Sequence, residues 1–249
     1  MLDDAIFMRY SRQLLLEEIG NKGQQKLTMS KVLIVGLGGL GSPAALYLAA
    51  AGVGELWLAD NDKLHISNLQ RQILYHTQDV SQLKVTLAAK QLNQLNPQIK
   101  VKTFNTKQHY HSLRPLVRNT DLVLDCTDNM STRQAINAAC VAEKKNLISG
   151  SAVGFNGQLL VLEPPYNQGC YACLYPDTNE PYQNCRTAGV VGPIVGVIGT
   201  LQALEAIKLL INLPSSLNGK LKLFDGKQHN WHTLQLSKAK SCLICGTRR

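Results

Sequence analysis

Aromatic residues are scarce, 6% of 249 positions, and Lys and Arg nowhere form a run of five or more. Surfaces that track nucleic acid combine clustered cations with stacking rings. Their joint shortage argues against a generic nucleic-acid binder, even with a net charge of +9. That charge fits a nucleotide polyphosphate or an acidic protein better. The chain also lacks a basic n-region with an apolar h-region at its start, so no secretory leader is expected. Seven cysteines, four of them in CxxC pairs, suit a reducing compartment better than a disulfide scaffold, which predicts the cytoplasm. A clean membrane span is missing too. The one apolar stretch of spanning length, Ala188 to Leu213, is interrupted by Pro193, Gln202, Glu205 and Lys208, which predicts a buried loop and helix. A hydrophobic content of 45% excludes disorder as the main state and is enough for one large α/β domain or two small ones.

What is present centres on Lys31 to Asp60. The apolar run Val32 to Val35 breaks into Gly36-Leu-Gly-Gly-Leu-Gly41 and then into an alanine-rich segment, a strand, tight turn and helix. Gly36, Gly38 and Gly41 fit GxGxxG, in which the first glycine permits the turn, the second lets backbone approach a phosphate, and the third packs helix on strand. The phosphate would sit on the helix N-terminus. A second apolar run, Glu55 to Ala59, ends in Asp60, near the roughly 20-residue offset at which an acid bonds a ribose hydroxyl. Nucleotide binding follows, without the identity of the nucleotide.

Ala5 to Ile19 has apolar residues at helical spacing and reads as an amphipathic leader helix whose Arg9 and Arg12 are, by spacing, surface residues. The polar stretch after Asp60 departs from a dehydrogenase. It supplies Asn68, Arg71 and Gln72, and Lys84 follows near the start of a helix from Gln82 to Leu95. Two cations near one site suit a triphosphate. His65 and His76 read as loop residues. Pro97 to Thr103 reads as a strand, Tyr110 to Arg118 as a helix and Asp121 to Cys126 as a buried strand. At its end, Asp128 stands where a carboxylate could hold Mg²⁺ on phosphates, or where it or Asn129 could cap the helix Met130 to Glu143. Cys126 and Cys140 fall on apolar faces and read as small core residues. Leu147 to Ser149, Gln158 to Leu162, Lys220 to Phe224 and Thr233 to Leu236 read as strands, the later ones as antiparallel additions.

Between them, Glu163 to Gly189 is a long irregular segment. It carries Cys170-Tyr-Ala-Cys173, matched by Cys242-Leu-Ile-Cys245 near the C-terminus. Two such pairs supply four thiolates for a structural Zn²⁺ with no open position for a catalytic water. A redox CxxC is the alternative, and neither pair is expected to open a helix after a strand. Cys185, in Asn184-Cys-Arg-Thr-Ala-Gly189, lies beside Arg186 and is open to two readings, a reactive thiol or a bystander.

GLGGLG, Asp60, Ser67-Asn-Leu-Gln-Arg-Gln72, Lys84, Asp125-Cys-Thr-Asp-Asn129 and the paired CxxC together resemble the E1-like adenylyltransferases, the MoeB-ThiF-HesA family, along essentially the whole chain. Asn184 to Pro193, Leu223 to Lys227 and Trp231 resemble the branch serving the ThiS-type carrier of thiamine thiazole synthesis. The branch serving MoaD of molybdopterin synthase is the alternative. The resemblance implies a single domain over 1–249, with a nucleotide-binding half (1–150) and an antiparallel, zinc- and carrier-binding half (151–249). The implied fold is α/β, a Rossmann-like, mostly parallel ATP-binding sheet extended by antiparallel strands, with helices on both faces and a four-cysteine zinc site. The implied reaction is adenylylation of the C-terminal glycine carboxylate of a ubiquitin-like sulfur carrier. ATP, Mg²⁺ and structural Zn²⁺ are the implied cofactors, and the sulfur donor is a cysteine desulfurase.

In that resemblance Gly36, Gly38, Gly39, Gly41 and Asp60 hold the nucleotide. Ser67, Asn68, Leu69, Gln70, Arg71, Gln72 and Lys84 surround its phosphates, and Asp128 and Asn129 complete the site. Arg71, Lys84, Asp128 and Cys185 are the implied catalytic residues. Arg12 would reach the site of a partner subunit, which implies a homodimer, and Cys185 matches the cysteine joined covalently to the carrier. Because the sequence stops shortly after its second CxxC, no rhodanese-like sulfur-transfer domain is expected.

Overall fold

A computed structural model describes residues 4–176 and 188–246. Cys185 lies outside them. The strands β1 (Lys31–Val35), β2 (Glu55–Ala59), β3 (Lys100–Phe104), β4 (Leu122–Asp125) and β5 (Asn146–Val153) pair in parallel, and β6 (Asn156–Leu162), β7 (Lys220–Asp225) and β8 (Asn230–Gln235) continue the sheet antiparallel. The eight-stranded order is β3-β2-β1-β4-β5-β6-β7-β8. The chain therefore reverses its direction of growth between β1 and β4, the place at which an open α/β sheet leaves a crevice beyond its strand ends.

Continuous apolar runs form the central strands because both faces are covered. On one face Val32, Ile34, Leu56, Leu58, Leu122 and Leu124 pack under α3 (Gly41–Ala50), α4 (Lys84–Leu95) and α8 (Gly192–Leu210). On the other, Leu33, Val35, Trp57 and Val123 pack under α5 (Tyr110–Arg118) and α6 (Met130–Glu143). The sheet outruns the expected strands at its antiparallel end, because β5 and β6 form one hairpin with register from Leu147↔Leu162 to Val153↔Asn156.

Helix α8 has the length and composition of a membrane span. It nevertheless buries Gln202 and Glu205, and Glu205 accepts hydrogen bonds from Lys208 Nζ at 2.7 Å and Ser215 Oγ at 2.6 Å. These contacts belong to a core helix, as the polar interruptions predict.

The leader helix is a correction. Where one helix from Ala5 to Ile19 is expected, α1 (Asp4–Leu14) stops, the chain turns, and α2 (Gly20–Met29) begins. Leu15 and Leu16, which extend the apolar periodicity, are exposed. The two helices are tied instead by polar contacts. Gln13 Nε2 donates to Gln24 Oε1 at 2.8 Å, and both glutamines donate to Ala51 O.

Candidate functional site

The turn after β1 is fixed before any ligand arrives. Gly36 has φ +90°, and a Cβ there would lie 2.7 Å from Cys126 O; one at Gly41 would lie 2.0 Å from Gly36 O. Side chains at either position would force strand, turn and helix apart. Leu37 is held from both sides, its N–H donating to Asp60 Oδ2 at 2.7 Å and its carbonyl accepting from Tyr75 Oη at 2.9 Å. Asp60 Oδ1 also accepts from the Asp62 N–H at 2.8 Å. Burial raises the Asp60 carboxyl above its ordinary range, and the Lys84 ammonium partly opposes the shift.

Beyond the turn opens a cleft of about 860 Å³ lined by Gly36, Gly38, Gly39, Asp60, Arg71, Gln72, Lys84, Asp128 and Asn129. Residues far apart in sequence thus meet at the ends of β1, β2 and β4. Lys84, at the N-terminus of α4, is buried and pairs with Asp62 at 3.0 Å. The Arg71 side chain is braced by Nη1 donating to Ser67 O at 3.1 Å. Gln72 is buried, and its Oε1 is the one buried side-chain polar atom among the described residues without a partner. Such an acceptor is costly to leave unmet and marks a place for a donor.

The cap question resolves in favour of Asn129, whose Oδ1 accepts from the Thr132 N–H at 2.9 Å. Asp128 is exposed and lines the cleft. Other motif residues lie elsewhere. Asn68 accepts from the His65 N–H at 3.0 Å, Gln70 O abuts Gly192, Leu69 packs against the core, and Gly41 serves the turn. Ser67 and His65 bond each other at 2.9 Å within the 3-10 turn Ile66–Asn68, so His65 is a loop residue as expected. Arg12 is exposed on α1, outside the cleft of its own chain.

Beneath Asp128 lies a buried polar network that sequence reasoning missed. Asp125 accepts from Thr127 Oγ1 and Ser149 Oγ, both at 2.7 Å, and pairs with Arg133 at 3.2 Å. Arg133 also donates to Thr127 O, and Gln202 Nε2 donates to Asp125 O at 2.9 Å. Together these bonds fix the strand end from which Asp128 projects. The only signal in the sequence is an arginine on the inward face of α6, at four-residue spacing from Asn129. Another part of the cleft lining was missed as well. It includes Tyr171 and Tyr175, whose rings stand 5.0 Å apart, with Tyr175 Oη donating to Gln158 Oε1 at 3.0 Å.

This wall adjoins the cysteines. The sulfurs of Cys170, Cys173, Cys242 and Cys245 all lie within 4.8 Å of one another, with Cys170 to Cys242 at 3.8 Å and Cys173 to Cys245 at 3.4 Å. Metal–sulfur bonds of about 2.3 Å in a tetrahedron put sulfurs roughly 3.8 Å apart, so the set could hold Zn²⁺. Cys170 caps the short α7 (Tyr171–Leu174), but an irregular stretch separates that helix from β6, so neither pair opens a helix directly after a strand, as expected. The four-sulfur cluster also argues against a redox pair. Burial raises the Cys170 thiol to about 11; at Cys242 burial is outweighed by N–H donors from Cys245 and Ile244, and the thiol falls to about 7. Cys126 and Cys140 are buried as expected, and burial pushes both thiols far above their ordinary range.

Known proteins are similar to this chain in sequence and in fold. The sulfur carrier protein ThiS adenylyltransferase of Escherichia coli (strain K12) is 59% identical over 98% of this chain and 97% of its own length. The molybdopterin-synthase adenylyltransferase of the same organism is 42% identical over 98% of both. The adenylyltransferase and sulfurtransferase MOCS3 of Anopheles gambiae is 46% identical over 98% of this chain, which spans 56% of that protein. In fold, a crystal structure of E. coli MccB with ATP superposes at a TM-score of 0.82 and 24% identity, over 96% of this chain and 73% of that one. The ThiF family pattern runs over residues 10–244, through the glycine turn, the cleft and three of the four clustered cysteines, and the chain belongs to the ThiF family.

Proposed function

We propose that the chain adenylylates the C-terminal glycine carboxylate of a ubiquitin-like, ThiS-type sulfur carrier for thiazole synthesis. The observation that carries this reading is the convergence of Asp60, Arg71, Lys84 and Asp128 on one cleft beside a rigid glycine turn, in a chain 59% identical along its length to a ThiS adenylyltransferase. A carboxylate is a poor electrophile. One of its oxygens attacks the α-phosphorus of ATP, the bond from that phosphorus to the bridging oxygen breaks, and pyrophosphate leaves with the electron pair. The resulting acyl-adenylate then has AMP as its leaving group.

In this mechanism Asp60 holds the ribose, and the backbone at Gly38, which lines the cleft beside Gln72, approaches the phosphates. Gln72 Oε1 accepts from the nucleotide or its water. Arg71 and Lys84 stabilise charge that gathers on the departing pyrophosphate, as preorganised donors do elsewhere. Asp128 would hold Mg²⁺, which screens the triphosphate. The tetrathiolate would hold a structural Zn²⁺.

Arg12, exposed and outside its own cleft, would serve a partner subunit's site in a homodimer. Cys185, bearing an outer sulfur transferred from the persulfide of a cysteine desulfurase, would attack the acyl-adenylate carbonyl with that sulfur; the bond to AMP breaks, AMP leaves, and the carrier stays joined to Cys185 through a thiol-sensitive acyl disulfide.

Branch choice is tested by comparing kcat/KM for pyrophosphate exchange with ThiS-type and MoaD-type carriers. A preference of at least about tenfold for the ThiS type, about 1.4 kcal/mol, is expected. Equal rates, or preference for MoaD, would favour the molybdopterin branch. Cys185→Ser should leave exchange within a fewfold and abolish the covalent adduct.

A further inference from the structure

Asn137 has no place in the mechanism above, yet it is fully buried and makes two contacts that meet at the metal site. Its Oδ1 accepts from the Tyr171 N–H at 3.0 Å, and its Nδ2 donates to Cys170 Sγ at 3.5 Å. The amide orientation follows from chemistry, because an N–H needs an oxygen acceptor, which turns the NH₂ to the sulfur. On α6, Asn137 lies one turn below Arg133, which lies one turn below the cap Asn129. Arg133 donates to Thr127 O, and its charge acts on the nearby Tyr171 hydroxyl. Tyr171 is therefore held at its amide by Asn137, with the Arg133 guanidinium near its hydroxyl. The side chain so held forms part of the cleft wall.

We propose that Asn137 is an outer-sphere residue of the tetrathiolate centre and a positioning residue for the cleft, making metal occupancy set the place of Tyr171 and hence the shape of the cleft wall that it lines. A thiolate bonded to a metal keeps acceptor capacity, and N–H donors to its sulfur stabilise the charge on the cluster. The Ala239 N–H, 3.4 Å from Cys173 Sγ, does the same on the other side. Outer-sphere partners of this kind typically change metal affinity or activity by about 10- to 100-fold when removed. The arrangement couples a centre with no catalytic position to the reaction, through one helix face. It rests on the zinc reading of the four cysteines.

The test uses the purified intact chain, its zinc content measured first. Zinc transfer to a chromogenic chelator is timed for wild type, Asn137→Ala and Asn137→Asp, and KM is measured separately for carrier and ATP. Asn137→Ala should release zinc about 10- to 100-fold faster and raise KM for the carrier several-fold, with KM for ATP little changed. Asn137→Asp keeps the acceptor for the Tyr171 N–H but loses the sulfur donor. It should release zinc faster while holding KM for the carrier nearer to wild type, and it remains informative if the alanine variant does not fold. Release rates near wild type in the soluble variants would overturn the proposal, as would KM rising equally for carrier and ATP. A wild-type chain without zinc would overturn both this proposal and the zinc reading, whereas a zinc-loaded wild type with unchanged variants would overturn this proposal alone.

Discussion

Asp128→Ala should reduce carrier-dependent exchange of pyrophosphate into ATP by at least about 10²-fold, the scale of losing one preorganised electrostatic group at a reacting centre. The expected loss is chemical and not conformational. Asn129 supplies the cap of α6, while Arg133, Ser149 and Thr127 hold Asp125 from below. The bonds to Asp125 and the Asn129 cap do not involve the Asp128 carboxylate. The variant should fold and bind carrier. Its exchange rate should respond less steeply to Mg²⁺, because the residue proposed to hold that ion is missing. Arg71→Ala should lose activity on a similar scale. Exchange near the wild-type rate in Asp128→Ala would remove Asp128 from the mechanism.

Cys170→Ser should be insoluble or melt far below wild type, with no bound zinc. Structural zinc contributes on the order of 10 to 16 kcal/mol in small metal-dependent folds, against a net domain stability of about 5 to 15 kcal/mol. Losing even part of that is comparable to the whole margin. Cys170 is fully buried, so the substitution also leaves a hydroxyl where a sulfur accepted from Asn137. Cys140→Ser is the control. Cys140 is equally buried but belongs to no sulfur cluster among the described residues, so this variant should keep its zinc and cost about 1 to 3 kcal/mol, the penalty of a poorly satisfied buried hydroxyl. Zinc-free Cys170→Ser protein with wild-type stability would show that the four cysteines staple nothing.

Much of this was legible in the residues because it depends on local patterns. Strands buried on both faces write continuous apolar runs, so β1, β2 and β4 were visible. A turn that tolerates no Cβ writes glycine, and a tetrathiolate writes CxxC twice. What was hidden depends on three-dimensional meeting. Arg133 and Asn137 look like polar residues on an ordinary amphipathic helix, and only the packing of α6 on the sheet shows that their polar groups point inward. Leu15 and Leu16 mislead in the opposite direction, since their periodicity continues a helix that the chain abandons. The motif from Ser67 to Gln72 also divides. Its tight 3-10 turn sends Arg71 and Gln72 into the cleft and spends Asn68 on closing the turn itself.

Intact-mass analysis of the carrier after incubation with enzyme, ATP and Mg²⁺ reads the central chemistry directly. A ThiS-type carrier ending in glycine should gain the mass of one adenylyl group and lose it to hydroxylamine, as an acyl-adenylate does. The same carrier lacking its terminal glycine should gain nothing. An unchanged carrier mass with active, zinc-loaded enzyme, or an adenylyl group that resists hydroxylamine, would contradict carboxylate activation as the function of this cleft.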